Sequence, residues 1–317
     1  MEYLALIILL IGIELIYFKI ADKFNIVDKP NCRSSHQHIT IRGGGILFPI
    51  AIIITYFLGY VSWQIAVAVS IVGIVSFIDD IKPLSQLPRF TSHLVAVALI
   101  FYDLNLFDGA IWLLPVIFVL MIGWVNAFNF MDGINGITVL YSLIAIITFA
   151  FLPVNQPILP LLIVMGISCV VFGYFNVRKR AKTFAGDVGS ISMALFLGYI
   201  MIKTIIETNQ LGFILFFAIY GIDAVITIVT RLIKKENIFE PHRSHLYQYL
   251  ANEKGFSHVS VSAGYAGAQL LLNCIVIYLN MQGYLNFITT AIILVLLTTI
   301  YLLIRLSIIK ELILKKS

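Results

Sequence analysis

Charge is what this sequence has least of. Of its 317 residues only 12% are Asp, Glu, Lys or Arg, 60% are apolar, and mean hydropathy is +0.99. A soluble domain carries roughly 25% charged and about 45–50% apolar residues. This shortage excludes a soluble globular fold, because the apolar excess would have to face water. Cysteine is scarce too: Cys32, Cys169 and Cys274 stand alone, fitting neither CxxC spacing nor a disulfide framework. Two core positions and one loop thiol are expected of them. The first apolar run, Leu4–Ile20, carries Glu14 in its middle and Lys19 at its end, and lacks both a basic flank ahead and a small-residue cleavage site behind. It is expected to stay as a helix. No internal repeat of the inverted-transporter kind is visible.

What is present is a series of apolar runs. They predict about eleven transmembrane helices, over 2–20, 44–60, 62–78, 91–104, 110–126, 137–152, 158–175, 189–206, 211–230, 260–280 and 285–304. The fourth is short, so it either tilts or begins nearer Leu87. At roughly 20 residues per crossing these nearly exhaust the chain. One membrane-embedded all-α domain over 1–317 is expected, a polytopic bundle with no separate soluble unit. Alternating the connections puts 20 of the 21 Lys and Arg on one side, with Lys203 alone near the other. Basic excess marks cytoplasmic loops, which predicts the N-terminus outside, the C-terminus inside, and any site in the cytoplasm.

Four segments on the basic side carry more polar chemistry than helix ends require. Asp79-Asp80 closes the third run and is followed by Lys82. Adjacent carboxylates at a membrane boundary are costly, so they form either a solvated helix end or a pair that positions or deprotonates phosphate. Asn126, Asn129, Asp132 and Asn135 recur every three residues, with Gly133 and Gly136 among them. Their amide and carboxylate oxygens offer hard ligands, and the glycines permit close backbone approach. Ala185-Gly186-Asp187-Val188-Gly189-Ser190 opens the eighth run. There Asp187 either caps the helix or holds a metal-bound diphosphate against free N–H groups. The longest loop holds His242, Arg243 and His245, a pattern suited to clamping phosphate. Zinc would need a third ligand nearby. The first loop adds Arg33, His36 and Arg42 before Gly43-Gly44-Gly45.

These motifs, in this order, resemble the polyprenyl-phosphate N-acetylhexosamine-1-phosphate transferase superfamily, glycosyltransferase family 4. The resemblance rests on Asp28-Lys-Pro-Asn31, Arg33-Ser-Ser-His36, Arg42-Gly-Gly-Gly45, Asp79-Asp80, the stretch from Asn126 to Gly136, Gly186-Asp187 and His242-Arg-Ser-His245. His242-Arg-Ser-His245-Leu-Tyr-Gln248 departs from the three-histidine run of the peptidoglycan enzymes and from the His-X-His-His run of the common-antigen type. It looks like the O-antigen-initiating branch instead.

The resemblance implies an enzyme of a bacterial inner membrane that transfers an N-acetylhexosamine 1-phosphate from a UDP-sugar to polyprenyl phosphate, releasing UMP. It implies Mg²⁺, with Mn²⁺ as a substitute, held by Asp187 and Asn129. Asp79 and Asp80, aided by Lys82, would position or deprotonate the lipid phosphate. Asn126, Asp132 and Asn135 would hold the nucleotide. His242, Arg243 and His245 would clamp diphosphate or sugar, with Arg33, His36 and Arg42 as outer phosphate contacts. The partners expected are UDP-N-acetylhexosamine, polyprenyl phosphate, the bilayer and a second copy in a homodimer, with no nucleic acid. A covalent two-step route and plain N-acetylglucosamine transfer stay open. The rival from another class is a transporter, for which Glu14 and Asp223 are the intramembrane charges.

Overall fold

The computed structural model describes residues 2–30, 35, 38–109, 111–237 and 243–314. Among them each of the eleven apolar runs becomes one helix of at least eleven residues: α1 (Glu2–Lys23), α2 (Leu47–Phe57), α3 (Trp63–Ile81), α4 (Gln86–Asp103), α5 (Leu114–Phe130), α6 (Ile137–Ala150), α7 (Leu159–Asn176), α8 (Gly186–Thr208), α9 (Ala218–Ile233), α11 (His258–Met281) and α12 (Phe287–Leu314). Between α9 and α11 a single turn, α10 (Leu246–Gln248), runs into a wider turn over Tyr249–Glu253. The protein is therefore an all-α polytopic membrane protein. Among the described residues eight helical segments are long and apolar enough to cross a bilayer, and Gly44–Phe57 and Ile137–Ala150 are shorter apolar helices. The fourth helix does begin near Leu87, at Gln86. Side chains cap several starts: Ser62 Oγ accepts from Ile65 N at 3.4 Å and Ser257 Oγ from Ser260 N at 3.1 Å.

One β element was not expected. Val27–Asp28 (β1) pairs antiparallel with Thr40–Ile41 (β2), and Ile41 bridges to Thr183. Two residues per strand leave no alternation to read. The ribbon lays the first loop against the start of α8, and that contact matters for the site below.

Burial ranks the helices. In α8, 78% of the spanning window is buried, against 6% in α12. Helix α8 is thus the core, packed by α3, α5 and α2, while α6 packs α7 and α11. The faces of α12 bearing Ile292, Val295, Leu296 and Leu303 are exposed, as suits a lipid-facing helix. Since lipid tails are as apolar as leucine, helix association leans on close packing and interhelical hydrogen bonds. Gln269 of α11 supplies several: its Oε1 accepts from Tyr141 Oη at 2.6 Å and from Ile219 N at 3.1 Å, and its Nε2 donates to Leu215 O at 2.9 Å. Cys169 is buried as expected, Cys274 is exposed rather than in the core, and Cys32 lies outside the described residues.

Candidate active site

The first loop approaches α8 through glycine. Gly44 N donates to Phe184 O at 2.9 Å and Gly45 N to Ala185 O at 3.1 Å. A Cβ on Gly189 would meet Gly45 Cα at 2.7 Å, so the two backbones cross without room for side chains. Gly186 has φ +70°, and a Cβ there would meet Asp80 Oδ2 at 2.5 Å. The sequence Arg42-Gly-Gly-Gly45 is thereby fitted to Gly186-Asp187-Val188-Gly189. Beneath this turn sits Glu14, buried on α1, whose Oε1 a Cβ on Gly44 would meet at 2.8 Å.

Asp80 caps α8 from α3. Its Oδ1 accepts from Asp187 N at 2.9 Å and its Oδ2 from Val188 N at 3.0 Å, while Arg42 Nε donates to Oδ1 at 2.6 Å. The cap of α8 is thus Asp80, not Asp187, and two of the N–H groups expected to be free for diphosphate are occupied. Asp79 holds the turn after α3 and also stands within hydrogen-bonding reach of Asp187. Its Oδ1 accepts from Leu84 N at 2.6 Å and from Arg89 Nη2 at 2.5 Å. Both side chains are nearly inaccessible, at 5% and 0% exposure for Asp79 and Asp80. Lys82 is exposed just past the end of α3.

Asp187 is left facing a cavity of about 290 Å³, lined also by Asp28, Ser35, Arg42, Asn129, Asp132 and Asn135. Arg42 Nη2 reaches Asp187 Oδ1 at 3.2 Å. Burial opposes the charge on Arg42, but the carboxylates of Asp80, Asp187 and Asp28 outweigh it and raise its pKa above the usual guanidinium value. Asn129, in the last turn of α5, accepts from Ser190 Oγ at 2.6 Å. The three-residue ladder then leaves the helix, because α5 stops at Phe130. Asp132 accepts from the Thr138 hydroxyl. Burial pushes its carboxyl up to about 6, the Thr138 hydrogen bond working the other way. Asn135 Nδ2 donates to Arg178 O at 2.9 Å.

The structure does not bring every candidate to this cavity. Asn126 lies outside it, donating to Ile122 O within α5 at 2.8 Å. Gly133 lines the cavity, but the space over its Cα is taken by Tyr247, whose Oη donates to Phe130 O at 3.1 Å. His245 is buried and bound to Asp223: its Nδ1 lies 3.2 Å from Asp223 Oδ1, which also accepts from Leu246 N at 3.1 Å. Arg243 is half-buried beside it, and Gln248, three residues on, does line the cavity. Arg33, His36 and His242 lie outside the described residues.

Asp223 therefore has a structural partner set. Tyr265 Oη donates to Oδ2 at 2.6 Å and Tyr301 Oη to Oδ1 at 2.9 Å. Arg305 extends the network, donating to Thr227 Oγ1 at 3.0 Å and to Ser244 O at 3.0 Å. Arg231, at the end of α9, pairs with Glu236 at 3.1 Å and donates to Asn237 O at 2.5 Å.

Sequence reasoning missed Asn176 and His258. Asn176 Oδ1 accepts from Gly136 N at 2.7 Å and its Nδ2 donates to Thr183 O at 2.9 Å, so the end of α7 joins two connections at the rim. His258 Nδ1 accepts from Asn135 N at 3.4 Å. A lone amide ending an apolar helix and a histidine opening one were the available signals.

Among the described residues no three His, Cys, Asp or Glu side chains form a metal cage. Asp187 and Asn129 do face one cavity, and the contacts of Asp187 with Arg42 and Asp79 and of Asn129 with Ser190 leave oxygen lone pairs on both side chains. Magnesium binds through one or two carboxylates plus substrate phosphates and water, so this donor set fits Mg²⁺ carried in with a phosphate-bearing ligand.

Known proteins match both the middle of this chain and most of its length. The glycosyl transferase family 4 model matches residues 62–205, the stretch from α3 into α8. The chain is 27% identical over 76% of its length to a probable undecaprenyl-phosphate N-acetylglucosaminyl 1-phosphate transferase of Bacillus subtilis, covering 73% of that protein. It is 26% identical over 74% of its length to the undecaprenyl-phosphate alpha-N-acetylglucosaminyl 1-phosphate transferase of Thermotoga maritima, covering 76% of that protein. It is 32% identical over 42% of its length to a phospho-N-acetylmuramoyl-pentapeptide-transferase of Streptococcus agalactiae, and there it spans about half of the relative, 47%. These matches bear out the resemblance to the polyprenyl-phosphate N-acetylhexosamine-1-phosphate transferase superfamily.

Proposed function

We propose that this protein transfers an N-acetylhexosamine 1-phosphate from a UDP-sugar to undecaprenyl or another polyprenyl phosphate, releasing UMP and leaving a polyprenyl-diphospho-sugar in the membrane. The observation that carries this reading is the convergence of Arg42, Asn129, Asp132, Asn135 and Asp187 on one cavity at the end of the bundle. The names of the Bacillus and Thermotoga relatives support it and favour N-acetylglucosamine as the sugar. The His242–Gln248 stretch favours a second reading of the donor, the N-acetylated hexosamine of O-antigen initiation. The basic asymmetry of the loops supports a cytoplasmic site in a bacterial inner membrane.

In this reading Asp187 and Asn129 hold Mg²⁺, which when bound neutralises diphosphate charge. The acceptor phosphate is already an anion near neutral pH, so alignment and charge compensation matter more than a strong base. Asp80 is then a positioning residue that fixes the backbone of Asp187, and Asp79 fixes the turn after α3. Lys82, exposed at the helix end, receives the lipid phosphate. Asp132 and Asn135 hold the nucleotide, with Gln248 opposite. Membranes supplied with polyprenyl phosphate and a panel of UDP-N-acetylhexosamines should release UMP with one donor preferred. Counterflow of labelled substrate with no UMP release would instead indicate a transporter.

A further inference from the structure

The described wall of the cavity is acidic. Asp28, Asp132 and Asp187 line it, and Arg42 is the one Lys or Arg among its described residues. That guanidinium is held at two places of unequal character. Its Nε lies 2.6 Å from Asp80, whose side chain is wholly buried and fixed by two backbone amides. Its Nη2 lies 3.2 Å from Asp187, whose side chain is 19% exposed, while that of Arg42 is 33% exposed. The first contact anchors the side chain. The second is longer, wetter and able to exchange.

We propose that Arg42 is a built-in counter-cation: it occupies Asp187 in the donor-free protein and passes to the donor's diphosphate when a divalent cation takes the carboxylate. The proposal rests on the transferase reading above. A divalent ion arriving alone meets a guanidinium already on Asp187, and the like charges oppose its binding. A diphosphate reverses the balance, because it brings negative charge and oxygens that suit the planar donors of arginine. Nε stays on Asp80 while the Nη groups change partner, so the exchange needs a side-chain rotation only. Cation and nucleotide then strengthen each other's binding, and the coupling is reciprocal. The enzyme would thereby avoid holding a bare cation in the empty site.

The test is Mn²⁺ binding to the full chain in detergent, read from the free-ion electron paramagnetic resonance signal, with and without UDP. The native protein should bind Mn²⁺ about tenfold or more tightly with UDP than without, an increment of about 1.4 kcal/mol. Arg42→Gln should bind Mn²⁺ more tightly than native without UDP, and UDP should tighten it by less than it tightens the native protein. Arg42→Lys, which keeps the charge, should stay near native, and Asp187→Asn should lose the site. Native affinity that ignores UDP overturns the counter-cation role even if Arg42→Gln does not fold. So does an Arg42→Gln protein that folds and binds Mn²⁺ no more tightly than native. No Mn²⁺ bound by any form, with or without UDP, overturns the metal assignment itself.

Discussion

Asp187 and Asp80, 107 residues apart, are joined through the backbone: Asp187 N donates to Asp80 Oδ1 at 2.9 Å, and Val188 N to the other oxygen at 3.0 Å. The direction in which Asp187 faces is therefore set by a carboxylate on another helix. Arg42 closes the arrangement from the first loop. Three segments distant in sequence depend on one buried side chain.

Asp80→Ala should lower stability by about 3 kcal/mol, the scale for removing one partner of a buried ion pair. Asp80→Asn, which keeps acceptors for one of the two amides, should lose less. Thermal unfolding in detergent measures both, and turnover should fall in the same order. Equal Tm values for all three proteins would show that the cap does not hold α8.

Asp223 should behave as an anchor for the segment from Ser244 to Gln248. Tyr265→Phe and Tyr301→Phe each remove one hydrogen bond to a carboxylate, worth about 1.5–3 kcal/mol. Asp223→Ala strands His245 and both tyrosines, and its loss should exceed either single change. The double Tyr variant measures whether the two bonds act together. A transporter reading predicts the opposite emphasis, with stability intact and substrate flux lost.

The Asp132 carboxyl gives a pH dependence with a definite sign. Burial raises it from 3.8 to about 6, so the folded protein binds the extra proton between these values. Stability contributed at this position is greatest below about pH 4 and falls as pH rises to 6. Asp132→Asn keeps an acceptor for Thr138 and removes the titration. The variant should match the native protein at pH 4 and be more stable at pH 8. Parallel stability curves across that range would contradict the assignment.

The helices were legible because apolar runs in a charge-poor chain have few other readings, and eleven runs become eleven helices. The polar residues that line the cavity, Arg42, Asn129, Asp132, Asn135 and Asp187, stood out for the same reason. What the sequence does not encode locally is direction. Neighbouring residues on a helix point about 100° apart, so Asp79 takes Leu84 N and Arg89 while Asp80 takes the first amides of α8. Asn126 fits the three-residue spacing but lies a turn deeper in α5, where it bonds its own helix. His245 reads as a phosphate ligand until Asp223, 22 residues earlier, is seen beneath it. Asn176 and His258 reach the rim only because α7 ends and α11 begins there.

The central claim is that Asp187 meets the donor's diphosphate in one shared cavity, and Asp187→Ala tests it most directly. With UDP-N-acetylhexosamine, Mg²⁺ and polyprenyl phosphate supplied, UMP release should fall by about a thousandfold or more, the scale for losing a group that stabilises transition-state charge. The Tm in detergent should stay near native, since the cap of α8 is Asp80. Release at a near-native rate by a folded Asp187→Ala protein would contradict the account.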